Sequence, residues 1–260
     1  MLRVLFIGDI VGKNGRQVIR NILSNIVNRY KIDIVIANGE NAAGGFGITE
    51  KVAIELFSEG IHVITTGNHV WDKKESIPYI AKENRILRPI NYPVGVPGYG
   101  SIVYNLSNNK KIAVINVSGR VFMNTLECPF RTAKKEVDRL REITNNIIID
   151  FHAEATSEKT AFGYYMDGSV SAVVGTHTHV QTADERILPS GTAYITDVGM
   201  TGPLVSVIGI EKDQIIDRFL YQMPKKYDVA GGKGIFSSVI IDIDQNGKAT
   251  GIQRLQVTNP

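Results

Sequence analysis

A single cysteine, Cys128, excludes an internal disulfide. It precedes Pro129 and reads as an ordinary small side chain. No apolar run approaches the roughly 20 residues that a membrane helix needs, so a membrane-embedded protein is not expected. The opening Met1-Leu2-Arg3-Val4-Leu5-Phe6-Ile7-Gly8-Asp9 lacks the cationic leader, apolar core and small-residue cleavage site of a secretion signal. It reads as a first strand, and the chain is expected in the cytoplasm. An excess of one charge is also missing, with 29 basic against 26 acidic residues. The densest basic cluster, 131–141, is interleaved with Glu136 and Asp138 and followed by Glu142. That marks a solvated helix face rather than a stripe for gripping long DNA or RNA. A small anionic substrate remains compatible with this balance.

What is present is an alternation of two periodicities. Runs rich in Val and Ile at 2–7, 32–37 and 62–66 read as strands. Between them, 15–30 carries Val18, Ile19, Ile22, Leu23, Ile26 and Val27 at helical spacing, and Thr49 can cap a helix carrying Val52, Ala53, Leu56 and Phe57. Further strands are expected at 147–151, 170–174 and 193–196, and helices at 133–142, 156–165 and 210–221. Two hairpins are expected. One joins 102–105 to 112–117 about Ser107-Asn108-Asn109-Lys110, and the other joins 235–243 to 251–257 about Asp244-Gln245-Asn246-Gly247. The proline- and glycine-rich segment 89–100 reads as loop. The pattern predicts one α/β domain over 1–260, with a mixed sheet or two stacked sheets.

Five apolar runs end in residues that ligate metals: Asp9, Glu40-Asn41, Asn68-His69, His152, and His177 with His179. Each has an ordinary alternative. Asp9 could cap the next helix, and Glu40-Asn41 could be loop polarity. Asn68-His69 could be a turn, His152 a satisfied core histidine, and His177-Thr178-His179 a solvent-facing loop. In α/β sheets, however, ligand crevices lie outside the carboxyl ends of the strands. Five distant segments would therefore converge on one edge. In four of the five a glycine stands one or two residues ahead of the first such group, where it lets the chain turn sharply. An extended His-x-His would point both rings to one side.

Carboxylates, amides and imidazoles without thiolate suit manganese, iron or zinc better than magnesium. There are enough groups for two ions, and paired ions are suited to phosphoester hydrolysis. A histidine not needed as a ligand could protonate the departing alkoxide.

The blocks Gly8-Asp9-Ile10-Val11-Gly12, Asn38-Gly39-Glu40-Asn41-Ala42-Ala43-Gly44-Gly45, Thr66-Gly67-Asn68-His69-Val70-Trp71-Asp72, 150–159, 175–184 and 196–203 resemble the calcineurin-like metallophosphoesterases. They are more closely similar to the YmdB-like branch of bacterial phosphodiesterases. The resemblance implies a four-layer α/β/β/α sandwich with two mixed β-sheets and a binuclear centre at the strand ends. It implies one ion on Asp9, Glu40, Asn41 and His179, and a second on Glu40, Asn68, His152 and His177, with Glu40 bridging and His69 as leaving-group acid. It further implies two transition-metal ions per chain, iron or manganese with zinc also admissible, hydrolysis of phosphodiesters such as 2′,3′-cyclic nucleotides, and a homo-oligomer. This chain departs from the wider superfamily, whose first block is Asp-x-His and whose bridge is usually Asp. Here Asp9-Ile10-Val11 lacks that imidazole, and Asn41 is the substitute.

Two other functions share these residues: a regulatory metal- or nucleotide-binding protein with little turnover, and a phosphomonoesterase. Lys13, Arg16 and Lys159 follow motifs and could meet phosphate, or be solvated helix cations. Asp150 and Asp197 are candidates to orient the histidines, and Thr176 and Thr178 to orient backbone. Phe46 and Trp71 could stack a base or fill core.

Overall fold

The computed structural model describes residues 1–106 and 110–259. The first half runs β1 (Leu2–Ile7), β2 (Asp9–Ile10), α1 (Gly12–Tyr30), β3 (Ile34–Asn38), α2 (Glu50–Ser58), β4 (Val63–Thr65), α3 (Ile77–Ile80), β5 (Ile86–Leu87), β6 (Ser101–Asn105) and β7 (Lys111–Ser118). The second half runs α4 (Pro129–Arg141), β8 (Ile147–His152), α5 (Thr156–Met166), β9 (Ala172–Thr176), β10 (Arg186–Ile187), β11 (Ala193–Ile195), β12 (Met200–Pro203), α6 (Lys212–Tyr221), β13 (Gly234–Ile243) and β14 (Ala249–Asn259).

The strands form two sheets among the described residues. The first has the order β2-β12-β13-β1-β3-β4-β5, with β14 paired to β13, and the second has the order β10-β11-β9-β8-β7-β6. Within them β1, β3, β4 and β5 run parallel, as do β7, β8, β9 and β11. Both expected hairpins form, as β6–β7 and β13–β14. Positions 107–109 of the first turn lie outside the described residues.

The period-two alternation of the strands sorts their side chains into separate layers. Leu2, Val4 and Phe6 of β1 and Ile34 and Ile36 of β3 join Ile112, Val114, Ile148 and Val174 in one buried cluster, the core between the sheets. The intervening Leu5, Ile7 and Val35 face the other way, onto Val18, Ile19 and Leu23 of α1 and Val52 and Leu56 of α2. On the second sheet, Ile115, Ile149 and Val173 pack against Val137 and Leu140 of α4 and Phe162 of α5. The result is a four-layer α/β/β/α sandwich. Each fully buried Leu, Ile or Phe contributes about 1.5–3 kcal/mol, so the three apolar layers hold the two strand-end edges in fixed relation.

Local signals hold where they were strong. Thr49 Oγ1 accepts the Val52 amide at 3.3 Å and caps α2. The helix before it begins earlier than its apolar spacing suggests, with Val11 at the N-cap and no side-chain cap. Asp9 is therefore not a helix cap. It sits in β2, opposite Met200 of β12.

Candidate metal centre

Residues from both sheets meet at the carboxyl ends of their strands. His152 closes β8 on one sheet, and its Nε2 lies 3.1 Å from Glu40 Oε1, 3.0 Å from Asn68 Oδ1 and 3.1 Å from His177 Nδ1. Glu40, His152 and His177 offer ligand atoms that all lie within 4.8 Å of one another, a grouping able to hold a metal ion. Beside it, Asn41 Nδ2 lies 3.1 Å from His179 Nε2 and 3.3 Å from Glu40 Oε1. His179 Nε2 is in turn 3.9 Å from Asp9 Oδ1. All seven residues expected as ligands thus fall in one cluster, arranged in two groups that share Glu40.

The hydrogen bonds around the rings decide which nitrogen faces inward. His152 Nδ1 donates to Thr176 Oγ1 at 2.9 Å, and that hydroxyl donates to Asp150 Oδ1 at 2.7 Å. His177 Nε2 lies 3.2 Å from Glu154 Oε2. His179 Nδ1 donates to the Ile208 carbonyl at 2.8 Å. In each ring the outer nitrogen is committed to an oxygen, which leaves the nitrogen facing the cluster for a cation or a proton. Metal-binding imidazoles need this arrangement. Asp150 therefore orients His152 through Thr176 rather than directly. Glu154, Ile208 and Asp72 were not singled out from the sequence. The spacing of Asp72, three residues after His69, was the one local signal available.

Asp9 and Glu40 are essentially unexposed. Burial raises the Asp9 carboxyl above its ordinary range, although His179 and His152 oppose that. Burial also pushes Glu40 upward, but the His152 and His69 contacts outweigh it and hold the carboxyl at about 2. Burial and the neighbouring His152 hold His177 at about 3 and hence neutral, as a ligand must be. His152 is drawn the other way: burial lowers it, yet Glu40, Asp9 and Asp150 raise it to about 9. The pocket therefore attracts positive charge, and a proton on His152 Nε2 occupies the place a cation would take. Two further observations fit an ion. Asp9 Oδ1 is buried without a hydrogen-bond partner. A Cβ at Gly67 would come within 2.3 Å of both Glu40 Oε2 and His152 Nε2, so only glycine leaves the cluster open.

The His-x-His segment is not extended. His177 and His179 have φ of 101° and 65°, a region that non-glycine residues seldom occupy. The strain turns the two rings apart, one toward His152 and the other toward Asp9 and Asn41. A buried ion pair holds this turn. Lys159 is not a phosphate contact: its Nζ donates to Asp197 Oδ2 at 2.6 Å and to the Thr176 carbonyl at 2.8 Å, with both side chains essentially unexposed. The same Asp197 oxygen accepts the Thr178 amide at 3.1 Å, and Oδ1 accepts the Gly199 amide at 2.8 Å. Arg16 is likewise engaged, with Glu55 and the Ala42 carbonyl. Trp71 packs edge-on against Tyr92, whereas Phe46 lies edge-on to His69 at the mouth of the cleft. His69 itself is fixed by Nδ1 to Asp72 Oδ2 at 2.8 Å.

Removing one partner of a buried ion pair strands the other charge. Lys159→Met is expected to cost about 3–5 kcal/mol of stability, and adding Asp197→Asn is expected to recover part of it. Urea unfolding of both single variants and the double variant measures the coupling. Costs that simply add would show that the pair does not act as a unit.

Likenesses to known proteins bear on what this geometry belongs to. The chain is 50% identical over 259 residues to a 2′,3′-cyclic-nucleotide 2′-phosphodiesterase of Bacillus subtilis (strain 168), covering 99% of this chain and 98% of that one. A crystal structure of a hypothetical protein from Thermus thermophilus matches with a TM-score of 0.93 at 40% identity, over the whole of both chains. A crystal structure described as a novel phosphatase from Mycoplasma pneumoniae matches with a TM-score of 0.93 at 34% identity, over 99% of this chain and 93% of that one. The model of the YmdB-like protein family matches residues 5–255. With that span and those identities, the chain belongs to the YmdB-like family.

Proposed function

We propose that this protein is a metal-dependent phosphodiesterase that hydrolyses small phosphodiesters, 2′,3′-cyclic nucleotides foremost, at a two-ion centre bridged by Glu40. The observation that carries this reading is the division of the cluster into two groups meeting at one buried carboxylate. Asp9, Glu40, Asn41 and His179 would hold one ion, and Glu40, Asn68, His152 and His177 the other. The oxygen and nitrogen donors, with no thiolate, favour iron or manganese and admit zinc. When bound, such ions make hydroxide available near neutral pH and neutralise charge on the phosphoryl oxygens.

The protein's own groups do the rest. Thr176, Glu154 and the Ile208 carbonyl hold the three imidazoles in the binding tautomer. His69 lies at the cleft with Nδ1 tied to Asp72, leaving Nε2 to protonate the departing alkoxide. Its backbone amide donates to Glu40 Oε2 at 3.2 Å, which fixes the acid relative to the bridge. The likeness to the Bacillus phosphodiesterase supports a diester over a monoester as substrate. A weakened, regulatory centre would follow if the imidazole missing from the first block had no replacement. Asn41 standing beside His179 supports substitution rather than loss. A cytoplasmic location is part of this proposal, and the single cysteine is compatible with it; no helix among the described residues is long and apolar enough to cross a membrane.

Metal analysis of purified protein is expected to give about two transition-metal ions per chain. Glu40→Gln is expected to cut hydrolysis of bis-p-nitrophenyl phosphate to background while leaving the melting temperature near that of the parent. Turnover at the parental rate would refute the bridge. His69→Ala is expected to slow 2′,3′-cyclic AMP hydrolysis by about 10²–10⁴-fold. The loss on the p-nitrophenyl diester should be much smaller, because that leaving group departs without a proton. Equal losses on both substrates would remove His69 from the acid role.

A further inference from the structure

Residues 204–233 leave the first sheet after Pro203 and re-enter it at Gly234, the residue paired with Pro203 across β12 and β13. This arm is fastened at its base. The Leu204 amide bonds the Lys233 carbonyl at 2.9 Å and the Ala230 amide bonds the Gly209 carbonyl at 2.9 Å. Ile208 is the residue whose carbonyl holds His179. The arm's helix α6, by contrast, contains no buried residue. Its Ile215, Arg218 and Phe219 stand at positions i, i+3 and i+4 and so share one face.

That face is not turned to bulk solvent alone. With Ile208, Tyr227 and Phe46 it walls a cleft of about 370 Å³ whose floor is the metal cluster. Phe219 is 73% exposed and Phe46 is 38% exposed. Among the described residues Phe219 stacks on no other ring. Arg218 lies over the Tyr227 ring with its Cζ 5.6 Å from the centroid, and it pairs with no described carboxylate. A phosphodiester joined only to a sugar is polar and would gain nothing from such a wall. A flat heteroaromatic ring would gain stacking on aromatic faces and polar contact with a free guanidinium. The volume lies within the range of small-molecule sites, and among the residues lining the cleft the one carboxylate is Glu40, in the floor.

We infer that the face of α6, opposed by Phe46, is a nucleobase subsite that seats the base of the substrate while its cyclic phosphate meets the metal cluster. The inference rests on the phosphodiesterase reading above and narrows it to nucleoside-derived diesters. Specificity for a base then resides in the 204–233 arm, and the same arm, through Ile208 and His179, touches a metal ligand.

The test compares two substrates with the metal-loaded enzyme: 2′,3′-cyclic AMP and the base-free methyl riboside 2,3-cyclic phosphate. Phe219→Ala is expected to lower the ratio of kcat/KM between them by about ten-fold, mainly through KM for the nucleotide, and Phe46→Ala is expected to act in the same direction. Because both rings are partly or largely exposed, melting temperatures should stay near the parental value. An unchanged ratio in both variants overturns the subsite. So does a parental enzyme that hydrolyses both substrates with the same KM, although that result leaves the phosphodiesterase reading standing. A parental enzyme that hydrolyses neither refutes that reading itself. If Phe219→Ala instead changes the sedimentation coefficient with the ratio intact, the face is a contact between copies of the chain and the subsite is refuted.

Discussion

Two carboxylates with almost no solvent exposure, Asp9 and Glu40, set the terms for everything around them. Buried anions are costly unless paired, and neither has an arginine or lysine partner among the described residues. Their neighbours are imidazoles, and each of these rings has its outer nitrogen bonded to an oxygen, which leaves the inner nitrogen for a cation or a proton. A site of buried anions and inward ring nitrogens satisfies itself by taking up positive charge. That constraint accounts for the unpartnered Asp9 oxygen, the elevated His152 and the open space beside Gly67. It also accounts for the tolerance of left-handed backbone at His177 and His179, where local strain is outweighed by the contacts it permits.

The fold's part is to make distant segments agree on that geometry. The inter-sheet core locks β1, β3, β8 and β9 in register, so ligands separated by more than a hundred residues in sequence arrive at one edge. Beneath the cluster, polar bonds tie the two sheets together. Asp150 of β8 accepts from Thr176 of β9 and from Asn38 of β3, and Asn38 in turn accepts the Glu40 amide. Burial raises Asp150 to about 7 against the pull of His152 and the threonine hydroxyls. Its oxygens accept from Thr176, Thr65 and Asn38, which makes it an orienting acceptor beneath the cluster.

Much of this was legible in the sequence because the strand-end motifs are local. An apolar run, a glycine and a polar ligand follow from period-two burial and a tight turn, and each can be read within ten residues. The layer order follows from the same alternation, as Leu2, Val4 and Phe6 face one core and Leu5 and Ile7 the other. What escaped depends on partners far along the chain. Lys159 resembles a surface cation on a helix until Asp197 arrives on the other side of β9. The short β2 and β12 have too few residues to show periodicity, and they exist because β2 pairs with β12 and β12 in turn with β13. An extended His-x-His would point both rings to one side, but two positive φ values separate them, and nothing in the local sequence announces those angles. The 204–233 arm could be read as a helix, but not as the wall of a cleft, because its position follows from the pairing of Pro203 with Gly234.

The central claim is that one buried carboxylate joins two ion sites. Anomalous-difference diffraction from crystals of the protein grown with manganese tests it most directly. The account predicts two peaks in the cluster, one against Asp9, Asn41 and His179 and the other against Asn68, His152 and His177, with Glu40 between them. A single peak, or peaks that leave Glu40 uncoordinated, would contradict it.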